Sequence, residues 1–185
     1  MEVDDQKSLR YSCELGYLDR VQSIVQNPAI DLNYRYHNNM TALHYSLLNY
    51  HPHIALYLIA QGVNVTLRDS MGFTAFHLAC RRGYVAIAEQ LFHSGGVDIN
   101  LKDINSYTPL SLACRDQSVD VITFLLSKNC ELNAQDKYGW TALHHACSMI
   151  NTTNSQAFEI ARWLIMGNAD ITVKDKVMRQ LVLLL

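Results

Sequence analysis

The sequence predicts an all-α fold made of stacked helix-turn-helix units, and three observations support this. Four similar tetrapeptides recur at intervals of 33, 34 and 33 residues: Thr41-Ala42-Leu43-His44, Thr74-Ala75-Phe76-His77, Thr108-Pro109-Leu110-Ser111 and Thr141-Ala142-Leu143-His144. Other landmarks keep this phase, because eight residues before each threonine stands Asn33, Thr66, Asn100 or Asn133. Apolar pairs four residues apart follow each tetrapeptide, as one buried helix face requires. A period of this length is typical of a repeat array.

Each unit is predicted to contain a short first helix, a turn and a second helix. The apolar pairs of the second helices are Ile54-Ala55 with Leu58-Ile59, Ile87-Ala88 with Leu91-Phe92, Val121-Ile122 with Leu125-Leu126, and Ile160-Ala161 with Leu164-Ile165. The last set fits only if six extra residues lie within 149–156, a stretch rich in Asn, Thr and Ser that predicts a loop. Leu9, Cys13 and Gly16 fit the same register and predict a degenerate first unit.

We therefore expect five units and the start of a sixth. Their expected bounds are 1–33 for a degenerate N-terminal capping repeat, 34–66, 67–100 and 101–133 for three repeats, 134–172 for a repeat with the six-residue insertion, and 173–185 for a truncated repeat or C-terminal cap. The apolar end, Leu181–Leu185, leaves two alternatives open. These leucines cover the last helix pair, or the sequence is part of a longer chain.

Composition argues against several classes of protein. The chain is 49% hydrophobic and 17% charged with few Gly and Pro, which predicts a folded chain. Its 15 basic and 17 acidic residues give a net charge of -2, so nucleic acid is not an expected partner. The longest apolar runs, such as 54–60, are far shorter than the roughly 20 residues that span a bilayer, and we expect no membrane partner.

The first residues lack the apolar region of a secretory signal, and the cysteine count is odd. No two of the five cysteines have a redox or zinc-ribbon spacing, which favours free thiols in a reducing compartment, either cytoplasm or nucleus. No sequence motif of a nucleophile, phosphate loop, dinucleotide site or zinc enzyme is present. We therefore expect no enzyme activity, no catalytic residue, no cofactor and no metal site.

The tetrapeptides, together with the segment 136–141, resemble the ankyrin repeat over roughly residues 5–175. This resemblance implies an ankyrin-repeat solenoid, in which antiparallel helix pairs are joined by β-hairpin loops and a concave face is formed by hairpins and first helices. No unit can bury its apolar face alone, so neighbouring units supply the core. Two departures are notable: Tyr50 and Gln117 stand where the first helix usually ends in Gly, and Asn39 and Ser106 replace the Gly of the hairpin turn.

The resemblance also implies a structural role for His44, His77 and His144, which would bridge neighbouring hairpin loops by hydrogen bonds. His51 and His53 flank a proline, but no further ligands lie at metal spacing, so we expect solvated turn histidines.

The cysteines divide into two groups. Four of them share one register of the repeat, which predicts small side chains packed between helices: Cys13, Cys80, Cys114 and Cys147. Cys130 falls outside this register, and we expect it to be more exposed.

Candidate partner-binding residues lie where the repeat leaves the side chain free. The residue before each threonine is large, and aromatic and Met side chains are enriched in interface cores. The candidates are Met40, Phe73, Tyr107, Trp140, Arg81, Arg82, Arg115 and Tyr138. The arginines would favour a partner segment with carboxylates. Two alternatives stay open: the large side chains shelter their own loops, and the arginines are merely solvated.

Three functional hypotheses follow. The first is a non-catalytic adaptor or scaffold that binds a protein of unknown identity through the concave groove, as a monomer unless the apolar C-terminus pairs. The second is the targeting portion of a larger enzyme, channel or ubiquitin-ligase subunit. The third makes the chain a substrate, because asparagines at the hairpin base are acceptors for a 2-oxoglutarate-dependent hydroxylase in the family it resembles. Asn133, with Leu125 eight residues before it, fits best, and Asn33 and Asn100 fit less well.

Overall fold

The computed structural model describes residues 5–148 and 155–175, and their regular structure is helical. The described residues contain no β-strand, so the predicted all-α fold class is confirmed. The helices are α1 (Asp5–Leu15), α2 (Leu18–Val25), α3 (Ala42–Leu48), α4 (Pro52–Ala60), α5 (Ala75–Arg82), α6 (Val85–His93), α7 (Pro109–Arg115), α8 (Val119–Ser127), α9 (Ala142–Ser148) and α10 (Ser155–Met166), with a 3-10 turn at His37–Asn39. The unit bounds expected from the sequence stay a prediction.

The chain forms two compact units, which divide within the third helix pair. Unit 1 comprises Met1–Ala79 with Gln90–Val97, and unit 2 comprises Cys80–Glu89 with Asp98–Leu185. In unit 1, α1 packs against α2 and α3, and α4 packs against α2 and α3. In unit 2, α7 packs against α8 and α9, and α10 packs against α8 and α9. Within each unit, therefore, first helices contact first helices and second helices contact second helices, which is the packing of a repeat protein.

The threonine of each tetrapeptide starts a first helix. The backbone N–H of Thr41 donates to Nδ1 of His44 at 3.2 Å, and Oγ1 of Thr41 lies 2.8 Å from the same nitrogen. Because Nδ1 accepts, Nε2 carries the proton and donates to the carbonyl of Phe73 at 3.1 Å. Thr74 with His77 and Thr141 with His144 repeat the same Nδ1 geometry, while Ser111 takes the place of histidine beside Thr108. The bridge between neighbouring loops is thus seen at His44.

Backbone with positive φ ends the first helices and shapes the loops. Tyr50 has φ 64° and Gln117 has φ 56°, at the register positions of the glycines that end α1 and α5. Asn39 and Ser106 have φ 57° and 64°, as expected for residues in a place that usually holds Gly. An L-residue in this conformation costs about 1 kcal/mol relative to Gly, so these positions are locally strained.

Most of the predicted apolar pairs form the core. Ile54, Ile87, Val121 and Ile160 are at most 1% exposed, whereas the last members Phe92, Leu126 and Ile165 are half-buried. Only Ser155 and Gln156 of the predicted loop within 149–156 are described, and both belong to α10. The leucines at 181–185 lie outside the described residues.

Candidate functional site

Aspartate carboxylates shape the loops that carry the candidate aromatic residues: Asp69 is half-buried and Asp136 is buried. In unit 1, Oδ1 of Asp69 accepts the backbone N–H groups of Met71 and Phe73, both at 2.8 Å. The N–H of Asp69 donates to the carbonyl of Phe73 at 2.9 Å, so both the side chain and the backbone of Asp69 hold the loop closed. Asp136 makes the same three bonds with Tyr138 and Trp140 in unit 2. This arrangement fixes the backbone from which each ring projects.

The large residues before the threonines differ in exposure. Met40 is only 9% exposed and offers little surface to a partner. Phe73 is half-buried, with its ring 5.9 Å from that of His77 in a T-shaped contact. Tyr107 and Trp140 are half-buried too, and they come together in unit 2. Their rings lie 5.5 Å and 5.1 Å from the ring of His145.

His145 is a feature that the sequence reasoning missed. It is 3% exposed, and its Nε2 lies 3.0 Å from Oδ2 of Asp136, which is 5% exposed. Burial lowers the pKa of His145, and the bond to Asp136 opposes that effect. The corresponding residues of α5 and α7 are Leu78 and Leu112, so a histidine in an otherwise apolar register was the available signal.

Two of the candidate arginines share a carboxylate of the chain itself. Nε of Arg81 lies 3.1 Å and Nε of Arg115 lies 3.2 Å from the carboxylate of Asp116. The guanidinium of Arg115 also lies 5.0 Å from the centroid of the Tyr107 ring, within cation–π distance. Together, Arg81, Arg115 and Asp116 carry one net positive charge. The half-buried Arg82 follows Arg81 on α5.

Tyr138 lies at the tip of its loop and is 53% exposed. The ammonium of Lys137 lies 4.9 Å from the Tyr138 ring centroid and donates to Oδ1 of Asn105 at 2.8 Å. The backbone N–H of Lys137 also donates to the carbonyl of Asn105 at 2.9 Å. Two neighbouring loop tips of unit 2 are therefore joined, and the Tyr138 ring stays open to solvent.

The candidate asparagines all make one kind of hydrogen bond. The side-chain oxygen of Asn33 accepts the backbone N–H of Asn64 at 2.7 Å. That of Asn100 accepts from Glu131 at 2.8 Å, and that of Asn133 accepts from Asp170 at 2.8 Å. Each asparagine therefore links its own loop to the next one along the chain. Asn33 and Asn133 are exposed, while Asn100 is half-buried.

Two sequence expectations were wrong. His51 is not a solvated turn residue: it is half-buried, its Nε2 lies 3.1 Å from the carbonyl oxygen of Glu14, and its ring fills the space beside Gly16. Cys130, three residues after the end of α8, is only 6% exposed, and it lies close enough to Cys80 and Cys114 to contribute to the raised pKa of each. Burial raises the pKa of Cys130 to about 11.

The four in-register cysteines are fully buried, as predicted: Cys13, Cys80, Cys114 and Cys147. Within the described part of the chain, no three His, Cys, Asp or Glu side chains are grouped so that they could hold a metal ion. Among the same residues, none of the helices has the length and apolarity needed to cross a membrane.

Known proteins similar to this chain come from several contexts. It is 29% identical over 169 residues to the ankyrin repeat protein nuc-2 of Neurospora crassa, which is 91% of this chain and 15% of that protein. It is 29% identical over 167 residues to the putative palmitoyltransferase ZDHHC13 of Danio rerio, covering 90% of this chain and 25% of that protein. It is 34% identical over 122 residues to human ankyrin repeat and SOCS box protein 6, covering 64% of this chain and 29% of that protein.

The chain thus spans less than a third of the length of each of these relatives. The family model described as ankyrin repeats in three copies matches it twice, over residues 9–103 and 95–175. Three features of the structure agree with that match. Threonines cap the first helices, aspartates accept the backbone N–H groups of the loops, and within each unit first helices pack on first helices and second helices on second helices. The chain belongs to the ankyrin repeat family.

Proposed function

We propose that this chain is a non-catalytic adaptor or scaffold module that binds a partner protein through its loops and first helices. Ankyrin repeats mediate protein–protein interaction, and the family is in general non-catalytic. The observation that carries the proposal is the pair Tyr107 and Trp140, two half-buried rings that both pack on the buried His145. Arg115 lies over the Tyr107 ring and adds a charged edge.

Rings held in this way are suited to act as binding anchors. The Trp140 backbone is fixed by Asp136, and its indole Nε1 lies 3.3 Å from Oδ2 of Asp175. A side chain that is already ordered loses little conformational entropy on binding, so more of the contact energy appears as affinity. Tyr138 and Arg82 extend the proposed surface in unit 2, and the half-buried Phe73 is a separate candidate anchor in unit 1.

The test compares partner capture by the unchanged chain and by the double variant Tyr107→Ala with Trp140→Ala. Phe158→Ala is the matched control, because Phe158 is an aromatic residue on α10 that is 51% exposed and belongs to no part of the proposed surface. Quantitative mass spectrometry should show partners lost by the double variant and kept by the control. Equal capture by all three proteins, with equal helical content by circular dichroism, would refute the assignment of this surface.

A second candidate function is the targeting portion of a larger protein. It is favoured by the relatives, because the matched segment is 25% of a putative palmitoyltransferase and 29% of a SOCS box protein. Immunoblotting of the endogenous protein with an antibody against residues 5–148 tests this proposal. A product well above 21.0 kDa supports it, and a single product at that mass contradicts it.

Hydroxylation of Asn133, Asn33 or Asn100 stays a proposal. Asn133 and Asn33 are exposed, so an enzyme can approach them, but each must first release the hydrogen bond to the next loop. Incubation with a 2-oxoglutarate-dependent asparaginyl hydroxylase followed by peptide mass spectrometry is the test. Addition of one oxygen atom at Asn133 supports the proposal, and unmodified peptides contradict it.

We also propose a cytoplasmic or nuclear location, which is supported by five cysteines that are all free and buried. Fractionation of cells that express the tagged chain tests this location. We further propose a monomer, and sedimentation analysis of the purified chain decides whether it is one.

A further inference from the structure

Unit 1 contains an open cleft between α1 and the loop that precedes α3. Its volume is about 680 Å³, and four of its nine lining residues are tyrosines. Three others are cations, namely Lys7, Arg10 and Arg35, and none of the nine is an Asp or Glu. A chain with a net charge of -2 therefore concentrates positive charge and aromatic surface in one place. We name this site the Tyr/Arg cleft.

The tyrosines form a fixed wall. The rings of Tyr34 and Tyr36 meet edge to face at 4.9 Å, and those of Tyr36 and Tyr45 meet at 5.9 Å. The Tyr36 hydroxyl donates to the backbone carbonyl of Gln6 at 2.7 Å and accepts from the Gln6 side chain at 2.8 Å. Burial raises the pKa of Tyr36 to about 12, so this hydroxyl stays protonated and keeps both bonds near neutral pH.

The cations of the cleft differ in what they already contact. The Arg10 guanidinium lies 4.0 Å from the Tyr11 ring centroid and 5.4 Å from that of Tyr45, and it pairs with Glu14 at 3.1 Å. Arg35 is exposed, and within the described part of the chain its guanidinium makes no hydrogen bond or ion pair. A guanidinium can bind a carboxylate through two parallel hydrogen bonds, so Arg35 can pair with a carboxylate of another molecule.

We propose that the Tyr/Arg cleft binds an acidic peptide segment of a partner protein, in which a carboxylate pairs with Arg35 and a neighbouring apolar side chain lies on the tyrosine wall. Tyr11 is 52% and Tyr34 is 47% exposed, so the cleft is an open surface that suits an extended peptide better than a small molecule, whose sites are concave and enclose most of the ligand. A flat anionic membrane would reach the rim but not Tyr45, which is 8% exposed. The proposal does not depend on the surface around Tyr107 and Trp140.

The experiment screens a phage-displayed library of random dodecapeptides against the full chain. Selected peptides should be enriched in Asp or Glu next to an aromatic or large aliphatic residue. Synthetic copies are then measured by fluorescence anisotropy, with each acidic residue replaced by its amide in a second set. The amide set should bind about tenfold more weakly, because it loses a charge-assisted pair.

Variants locate the binding site. Arg35→Gln and Tyr34→Ala should each weaken the selected peptides about tenfold. The matched controls are Arg20→Gln and Tyr17→Ala on or beside α2, which remove an exposed arginine and a 55% exposed tyrosine outside the cleft and should leave affinity unchanged. Circular dichroism confirms that all four variants are folded.

The proposal is overturned if selection yields no enrichment of acidic residues, or if Arg35→Gln binds as tightly as the unchanged chain. A parallel arm sediments the chain with vesicles of phosphatidylserine and phosphatidylcholine. Binding to these vesicles that Arg35→Gln abolishes would assign the cleft to an anionic lipid surface and would equally overturn the peptide proposal.

Discussion

Replacing Asp136 by alanine tests how the Trp140 loop is held. Oδ1 of Asp136 accepts the backbone N–H of Tyr138 at 2.8 Å and of Trp140 at 2.9 Å, and Oδ2 lies 3.0 Å from Nε2 of His145. All three donors lose their partner in Asp136→Ala. We expect the largest loss of stability from the histidine, because its ring is almost completely buried and water cannot replace the carboxylate.

Asp69 is the matched residue in unit 1 against which the loss at Asp136 can be compared. It makes the same two backbone bonds, to Met71 and Phe73, and its carboxylate has no buried histidine bonded to it among the contacts described. Each lost bond costs about 1 kcal/mol, so Asp69→Ala should lower the free energy of unfolding by about 2 kcal/mol. Asp136→Ala should lower it by about 4 kcal/mol, because a buried imidazole without a partner adds about 2 kcal/mol.

Urea unfolding followed by circular dichroism and by tryptophan fluorescence measures both losses. Coincidence of the two probes must be checked first, since a repeat array need not unfold in one step. The double variant Asp136→Ala with His145→Leu isolates the pair, because leucine is the residue at the same register in α5 and α7. In a chain that already carries His145→Leu, Asp136→Ala should no longer cause the extra loss of about 2 kcal/mol in the free energy of unfolding. Equal losses for Asp136→Ala and Asp69→Ala would show that the bond between Asp136 and His145 adds nothing to the stability given by the two backbone bonds.

Three further predictions concern strain, protonation and thiol reactivity. Replacing Tyr50 or Gln117 by glycine should raise the free energy of unfolding by about 1 kcal/mol each, since glycine tolerates positive φ; urea unfolding that shows no gain contradicts this. Burial lowers the pKa of His44 and of His145, so the unfolded chain binds protons more readily. Stability should therefore be complete above about pH 6.5 and fall below it by up to about 1.4 kcal/mol per pH unit for each histidine, which thermal melts across this range would measure. Cys130, with its pKa raised to about 11, should react with a thiol reagent only on unfolding, and immediate reaction of the folded chain would contradict its burial.

The repeat register predicted the structure well wherever backbone geometry decides the outcome. Tyr50 and Gln117 have positive φ because a first helix must reverse at that place whichever residue occupies it. Thr41 caps its helix because its hydroxyl lies within reach of His44, three residues on. These features depend on local spacing alone, and spacing can be counted in a sequence.

The candidate site was harder to predict from the sequence than the fold, because it depends on which side chains meet across repeats. Arg115 was expected to attract a partner carboxylate, yet it shares Asp116 with Arg81. Cys130 was expected to be more exposed because it is outside the cysteine register, but that register describes the first helices, and the segment after α8 buries Cys130 independently of it. The contact of His145 with Asp136 joins a helix to a loop nine residues earlier, and only the folded chain brings the two together.

The hydrogen bonds accepted by the asparagine side chains show that the contact between neighbouring loops is kept when residues are inserted between two helices. Asn33 and Asn100 each accept the N–H of the residue 31 positions later, whereas Asn133 accepts that of the residue 37 positions later. The difference is the six residues that the sequence adds between the helices of the last pair, and the bond length stays within 2.7–2.8 Å. Contacts between neighbours therefore set the loop geometry, and chain length between them does not. Because stability in a repeat protein is a sum over neighbours, loops and inter-helix segments can vary while these contacts persist, and binding specificity can change there at little cost to the fold.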